Sequence, residues 1–107
     1  MAKPFVLVKL DKDYEFKLSN KAGYYYEQLT GNSMQSMGDK FGTKEMNDLL
    51  YAGLKCIDKD LTLDKCLDLV DEHMDFEVLA DVITKAMEKS PFFNPAKSKK
   101  EKHLAEK

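Results

Sequence analysis

Two amphipathic segments joined by a short acidic turn constrain the fold of this chain most strongly. They occupy residues 44–57 and 63–73, and Asp58-Lys59-Asp60 separates them. In each segment apolar residues recur at intervals of three and four, the period of one face of an α-helix. These residues are Met46, Leu49, Leu50, Gly53, Leu54 and Ile57 in the first segment, and Leu63, Cys66, Leu67 and Val70 in the second. So short a turn predicts a central antiparallel helix hairpin, with Thr43 and Thr62 as the N-caps.

A β-hairpin is predicted at residues 4–18, ahead of the helices. Apolar residues alternate in each half of this stretch, as they do in strands with one buried face. The alternating residues are Val6, Val8 and Leu10, followed by Tyr14, Phe16 and Leu18. A turn at Asp11-Lys12-Asp13 would place both sets on the same face. Because two strands alone are marginally stable in water, we expect this face to pack on helices or to recruit strands from another chain.

One further helix is predicted before the central pair and one after it. The earlier helix begins at Ser19 or Asn20, which are good N-cap residues, and ends at Gly31. The later helix begins after the cap Asp75 and ends at Lys89, close to the proline that follows. Its predicted inner face consists of Phe76, Leu79, Val82, Ile83, Ala86 and Met87, flanked by Val78.

A fifth helix, short and frayed, or a lid is predicted within residues 32–42. Methionine and phenylalanine recur there at helical spacing, but two glycines interrupt the pattern. The predicted fold class is therefore α+β, mainly α, with an N-terminal β-hairpin followed by four to five helices.

Charge divides the chain into an acidic body and a basic tail. The net charge is −2, and the chain has no arginine. Residues 1–89 hold 12 lysines and 17 acidic residues, whereas residues 90–107 hold 5 lysines and 2 acidic residues. We therefore expect one globular domain over residues 1–90 and a disordered tail over residues 91–107. The missing arginine counts against specific nucleic-acid binding, and no apolar run is long enough to span a membrane.

No residues in the sequence have the pattern of a catalytic or cofactor site. Asp58-x-Asp60-x-Thr62 resembles the opening of a calcium loop, but leucine stands where that loop needs its glycine and its final glutamate. The two cysteines, Cys56 and Cys66, are expected to be reduced and buried. We therefore expect a protein with no enzymatic activity, no metal and no cofactor.

Six side chains are candidates for contact with a partner: Tyr24, Met34, Met37, Tyr51, Phe92 and Phe93. Three consecutive tyrosines cover about 200° of a helix and cannot all be buried, so Tyr24 is expected to face solvent. The methionines could fill the core or form an adaptable binding surface. The two phenylalanines could fold back on the body or form an exposed hydrophobic hook.

Four short motifs, taken in their order along the chain, carry a resemblance to a known family. They are Glu27-Gln28-Leu29-Thr30-Gly31, Leu49-Leu50-Tyr51-Ala52-Gly53-Leu54, Asp60-Leu61-Thr62 and Leu67-Asp68-Leu69-Val70-Asp71. Together with the N-terminal β-hairpin, this order resembles the tail assembly chaperones of long-tailed bacteriophages and prophages of Gram-positive hosts. The resemblance covers residues 5–89.

The resemblance implies a non-enzymatic function in the host cytoplasm. Such chaperones bind the long, hydrophobic, helical tape-measure protein, keep it soluble, and help tail tube subunits assemble around it. They leave before the virion is finished, and many are made in two lengths by programmed frameshifting. The expected partners are therefore the tape-measure protein, the tail tube protein, and further copies of this chain through the unpaired edges of the hairpin. The alternative is a structural tail or head–tail adaptor protein retained in the virion.

Overall fold

Strands and helices follow one another in nearly the predicted order. The computed structural model describes residues 5–34 and 42–90. Within those two ranges the elements are β1 (Val6–Lys9), β2 (Asp13–Phe16), α1 (Asn20–Thr30), α2 (Thr43–Lys55), α3 (Leu63–His73) and α4 (Phe76–Lys89). The protein is thus a small, compact α+β domain that is mainly helical and begins with an antiparallel β-hairpin.

The β-hairpin has the predicted strands and the predicted buried face. Val6 lies opposite Phe16, and Val8 lies opposite Tyr14. Because side chains alternate along a strand, this register points all four toward the same side, where Val8, Tyr14 and Phe16 are buried and Val6 is half-buried. Leu18 continues the buried face beyond the second strand.

Side-chain caps fix the starts of three helices where the sequence predicts them. The hydroxyl of Ser19 accepts a hydrogen bond from the amide of Ala22 at 3.3 Å, and Thr62 accepts one from the amide of Lys65 at 3.2 Å. The carboxylate of Asp75 accepts one from Val78 at 2.8 Å. Each contact satisfies an amide that has no partner inside its own helix.

The predicted cap of α2 is wrong by one residue. Gly42 is the N-cap, and Thr43 is already helical. The side chain of Glu45 reaches back to accept a hydrogen bond from the amide of Gly42 at 3.0 Å. This contact does not depend on a cap side chain, so glycine can occupy the position that the sequence pattern assigned to threonine.

Helix α2 is the centre of the domain. It contacts α1, α3, α4 and β2, and its most extensive contact is with α1. Leu49, Leu50 and Leu54 are fully buried along it. The antiparallel arrangement of α2 and α3 stays a prediction, because α2 is not paired with α3 alone. The predicted fifth helix lies mostly outside the described residues, as does the tail over residues 91–107.

Three residues assigned to buried faces are exposed instead. Ile57 lies in the turn after α2, beyond the last residue that α2 can bury, and is 48% exposed. Leu67 and Phe76 lie on α3 and at the first residue of α4, and both are also exposed. On α3, Leu69 enters the core together with the predicted Cys66 and Val70, although the periodicity pattern did not include it.

Candidate binding groove on the helical face

Three of the large exposed apolar side chains line clefts that adjoin one another. Leu29 of α1 is 37% exposed, Leu67 of α3 is 36% exposed, and Phe76 of α4 is 58% exposed. Large apolar side chains that share a concave surface are a feature of interaction sites, whereas scattered ones are ordinary. The surface these residues share is therefore the strongest candidate for a functional site in the described part of the chain.

The middle cleft lies among α1, α2 and α3 and has a volume of about 620 Å³. Leu29 forms one wall, and Leu63 and Leu67 form another. Helix α2 contributes the remaining lining residues: Asn47 and Asp48 are buried and form the floor, whereas Thr43 and Lys44 are exposed. The cleft thus has apolar walls and a polar floor.

A second cleft, of about 460 Å³, continues from the middle one toward α4. The two clefts share Thr43, Asn47 and Leu67. Beyond these shared residues, Met74 and Phe76 extend the apolar lining. The carboxylates that line it are those of Asp71 and Asp75.

A third, smaller cleft of about 190 Å³ lies at the opposite end and shares Leu29 with the middle one. Tyr25 and Tyr51 both line it, and the ammonium of Lys55 lies 5.8 Å from the ring centroid of Tyr25 and 5.7 Å from that of Tyr51. Both distances are within the range of a cation–π interaction. Tyr24 packs edge-to-face on Tyr25 with 6.1 Å between centroids.

We call the three clefts together the helical groove. The second and third clefts share no lining residue, so the groove has two distinct ends. The groove runs along one face of α2. The lining residues on this face recur every four positions and are Thr43, Asn47, Tyr51 and Lys55. At 1.5 Å per residue, this face is about 18 Å long, which corresponds to roughly three turns of a helix.

The charges that line the groove differ between its ends. In the middle cleft, Lys44 and Asp48 form an ion pair with 2.7 Å between Nζ and Oδ2. The hydrogen bond to Asp48 raises the pKa of Lys44 above its ordinary value. Because this pair is neutral overall, it adds no net charge to the groove. The charged side chains at its ends therefore set its polarity: Lys55 makes one end positive, and Asp71 and Asp75 make the other end negative.

Asn47 is a buried polar residue on the floor of the groove. Its Nδ2 donates a hydrogen bond to the carbonyl of Thr43 at 2.8 Å. Its Oδ1 is buried and has no hydrogen-bond partner among the described residues. Such an orphaned acceptor costs about 1–3 kcal/mol; apolar residues at the same position would avoid that cost.

The predicted partner-binding residues occupy several different environments. Tyr51 lines the aromatic end of the groove, and Tyr24, which is 61% exposed as expected, lies next to that end. Met34 is only 2% exposed, so its side chain belongs to the core and is not offered to a partner. Met37, Phe92 and Phe93 lie outside the described residues.

Sequence reasoning did not identify most of the groove. Leu67 and Phe76 fit the apolar stripes of their helices, so periodicity assigned them to buried faces. Lys55 gave no signal at all. A useful clue was available: Leu67 and Leu69 on α3 lie about 200° apart and cannot both face α2.

The described residues show little that suggests other chemistry. Burial raises the pKa of the Cys66 thiol to about 12 and also raises that of Cys56, so neither is an activated nucleophile. No group of three histidine, cysteine or acidic side chains in the described ranges could hold a metal ion. The described helices include none that is long and apolar enough to cross a membrane.

Comparison with known proteins adds no relative. No protein-family model, no curated protein and no solved structure matches the chain.

Proposed function

We propose that this protein is a tail assembly chaperone of a long-tailed bacteriophage or prophage. In this role it binds the hydrophobic, helical tape-measure protein in the host cytoplasm and is absent from the finished virion. The tail tube protein and other copies of this chain are its further partners, and an antiparallel pairing of α2 and α3 is part of the proposed family fold. The protein performs no chemical reaction.

The observation that carries the proposal is the helical groove. A holdase for amphipathic helices needs a concave apolar surface of helix length, bordered by charges that keep the complex soluble. The groove provides exposed Leu29, Leu67 and Phe76 along about three helical turns of α2. The acidic body outside it carries the surplus negative charge. The four sequence motifs direct the proposal toward the phage family specifically.

Co-expression with the tape-measure protein of the same genome tests this function. We expect the wild-type chain to move the tape-measure protein into the soluble fraction. Leu67→Ser should remove most of this effect, because truncating a central apolar anchor typically weakens an interface by about tenfold or more. Soluble tape-measure protein is measured after centrifugation of the lysate.

Ile57→Ser is the matched control for Leu67→Ser. Both replace an exposed aliphatic side chain, but Ile57 is outside the groove, so this variant should rescue solubility as well as the wild type does. Failure of the wild-type chain to solubilise the tape-measure protein would contradict the proposal. Detection of the chain in purified virions would favour the alternative, a tail or head–tail adaptor protein.

A further inference from the structure

The helical groove has the dimensions of a helix-binding site and has two chemically different ends. One end is aromatic and carries the cation of Lys55. The other is aliphatic and aromatic and carries the carboxylates of Asp71 and Asp75. A symmetrical occupant would gain nothing from this difference, whereas an α-helix would, because its two ends carry opposite partial charges.

The ends of α2 oppose the polarity of these side chains but do not cancel it. The N-terminus of α2 lies at the carboxylate end, and its C-terminus lies at the Lys55 end. A helix terminus is equivalent to about half of an elementary charge. Two full negative charges at one end and one full positive charge at the other outweigh these half charges. Helix macrodipoles alone would favour a bound helix antiparallel to α2. Because the side-chain charges at the two ends of the groove are larger, they favour a bound helix parallel to α2.

We propose that the groove binds an amphipathic α-helix of the partner in one direction, parallel to α2. The N-terminus of the bound helix lies near Asp71 and Asp75, and its C-terminus lies near Lys55. Its apolar stripe packs on Leu29, Leu67 and Phe76. This inference rests on the proposed function for the identity of the partner, but the direction of binding can be measured separately.

The test uses a synthetic amphipathic helix of about 18 residues with a leucine stripe and blocked termini. A nitroxide is attached at its N-terminus in one sample and at its C-terminus in another, and paramagnetic broadening of amide signals is measured on the full-length protein. We expect the N-terminal label to broaden residues 71–79 and the C-terminal label to broaden residues 25–28 and 51–55. The charges at both ends together should give roughly a tenfold preference for this direction.

Exchanging the charges at the two ends provides the decisive variant. Asp71→Lys combined with Lys55→Glu leaves the Asp71 and Asp75 end with no net side-chain charge, makes the other end negative, and leaves the net charge of the protein unchanged. The preferred direction should be lost or inverted. Asp75 is left intact because it caps α4. The control exchanges an exposed ion pair outside the groove, Asp81→Lys with Lys85→Glu, and should bind the helix as the wild type does.

Equal broadening from both labels at both ends, or the opposite pattern, would overturn the inference. So would displacement of the helix by a peptide of residues 91–107 at an equal or lower concentration, because the occupant would then be the tail of a second copy. If the direction is wrong but the tape-measure protein is still solubilised, the proposed function stands alone. If helices bind in the expected direction without any solubilisation, the proposed function fails and the groove remains a directional helix site.

Discussion

Tyr14 connects the turn of the β-hairpin to the core through a single hydroxyl group. The side chain is buried, and the hydroxyl donates a hydrogen bond to Asp11 at 3.1 Å. Burial, followed by the contact with Asp11, raises the pKa of Tyr14 to about 12. Folding therefore favours the neutral form of the Tyr14 phenol. The alternating strand pattern predicts that Tyr14 faces the core, but it does not indicate that its pKa is raised.

The stability of the protein should fall as the pH rises from 10 to 12. The stabilisation that comes from neutral Tyr14 is fully present below pH 10, where the unfolded tyrosine is also neutral, and is lost as the pH approaches 12. The loss should reach roughly 1 kcal/mol by pH 11. Urea unfolding at pH 9 and pH 11 measures it.

Tyr14→Phe should remove this part of the pH dependence. Burial also raises the pKa of Tyr26, so Tyr14→Phe should retain a smaller loss of stability over the same pH interval. An equal loss in Tyr14→Phe and in the wild type would show that Tyr14 does not ionise with the expected linkage.

At the scale of the element, helix α2 depends on a glycine that sequence reasoning placed in its apolar stripe. A Cβ at Gly53 would lie 2.1 Å from the ring of Phe16 and 3.1 Å from the carbonyl of Lys17. Glycine is therefore required because α2 and β2 approach each other closely. Gly23 in α1 differs, because a Cβ there would meet the flexible end of Met34 at 3.1 Å.

The two helical glycines should respond in opposite ways to alanine. Gly53→Ala should destabilise the protein by about 1–3 kcal/mol or more, since the ring of Phe16 and the hairpin backbone must move. Gly23→Ala should be neutral or stabilising by up to about 1 kcal/mol, because alanine is the better helix former and methionine can yield. Thermal unfolding of both variants provides the comparison; a similar loss in both would show that helix propensity and not the contact decides.

At the scale of the whole molecule, the two cysteines report on different parts of the fold. Cys66 of α3 is completely buried in the core. Cys56, at the end of α2, is half-buried, and its thiol donates to the carbonyl of Ala52 at 3.4 Å. Access to Cys66 requires the core to open, whereas access to Cys56 requires only local motion.

A disulfide-exchange reagent at pH 8 should therefore react in two well-separated phases. For a domain of ordinary stability, Cys66 should react at least about a thousandfold more slowly than Cys56. Cys56→Ala should leave only the slow phase, and Cys66→Ala should leave only the fast one. The absorbance of the released thiol gives both rates, and fast labelling of Cys66 would mean that α3 separates readily from the core.

The ends of α1, α3 and α4 and the faces of the hairpin followed from local chemistry. A cap such as Thr62 or Asp75 bonds an amide three residues away, and the glycine at the end of α1 supplies the left-handed backbone, φ 80°, that closes that helix. Alternation in β1 and β2 depends only on the strand's own period. These contacts lie within a few residues of each other, so the sequence contains them in readable form.

The groove depends instead on which neighbours cover each apolar stripe, and that is a property of the packed molecule. Leu67 and Phe76 have the period of buried residues. They nevertheless remain exposed, because the most extensive contact of α2 is with α1. Lys55 of α2 lies close to Tyr51 of the same helix and to Tyr25 of α1. No spacing rule in the sequence specifies the distance between these two helices. By itself the sequence determined the two strands, the caps of α1, α3 and α4, and the inner face of the hairpin. Only the tertiary structure decided which apolar side chains stay exposed. Burial depends on how several elements pack against one another, whereas periodicity is a property of a single element.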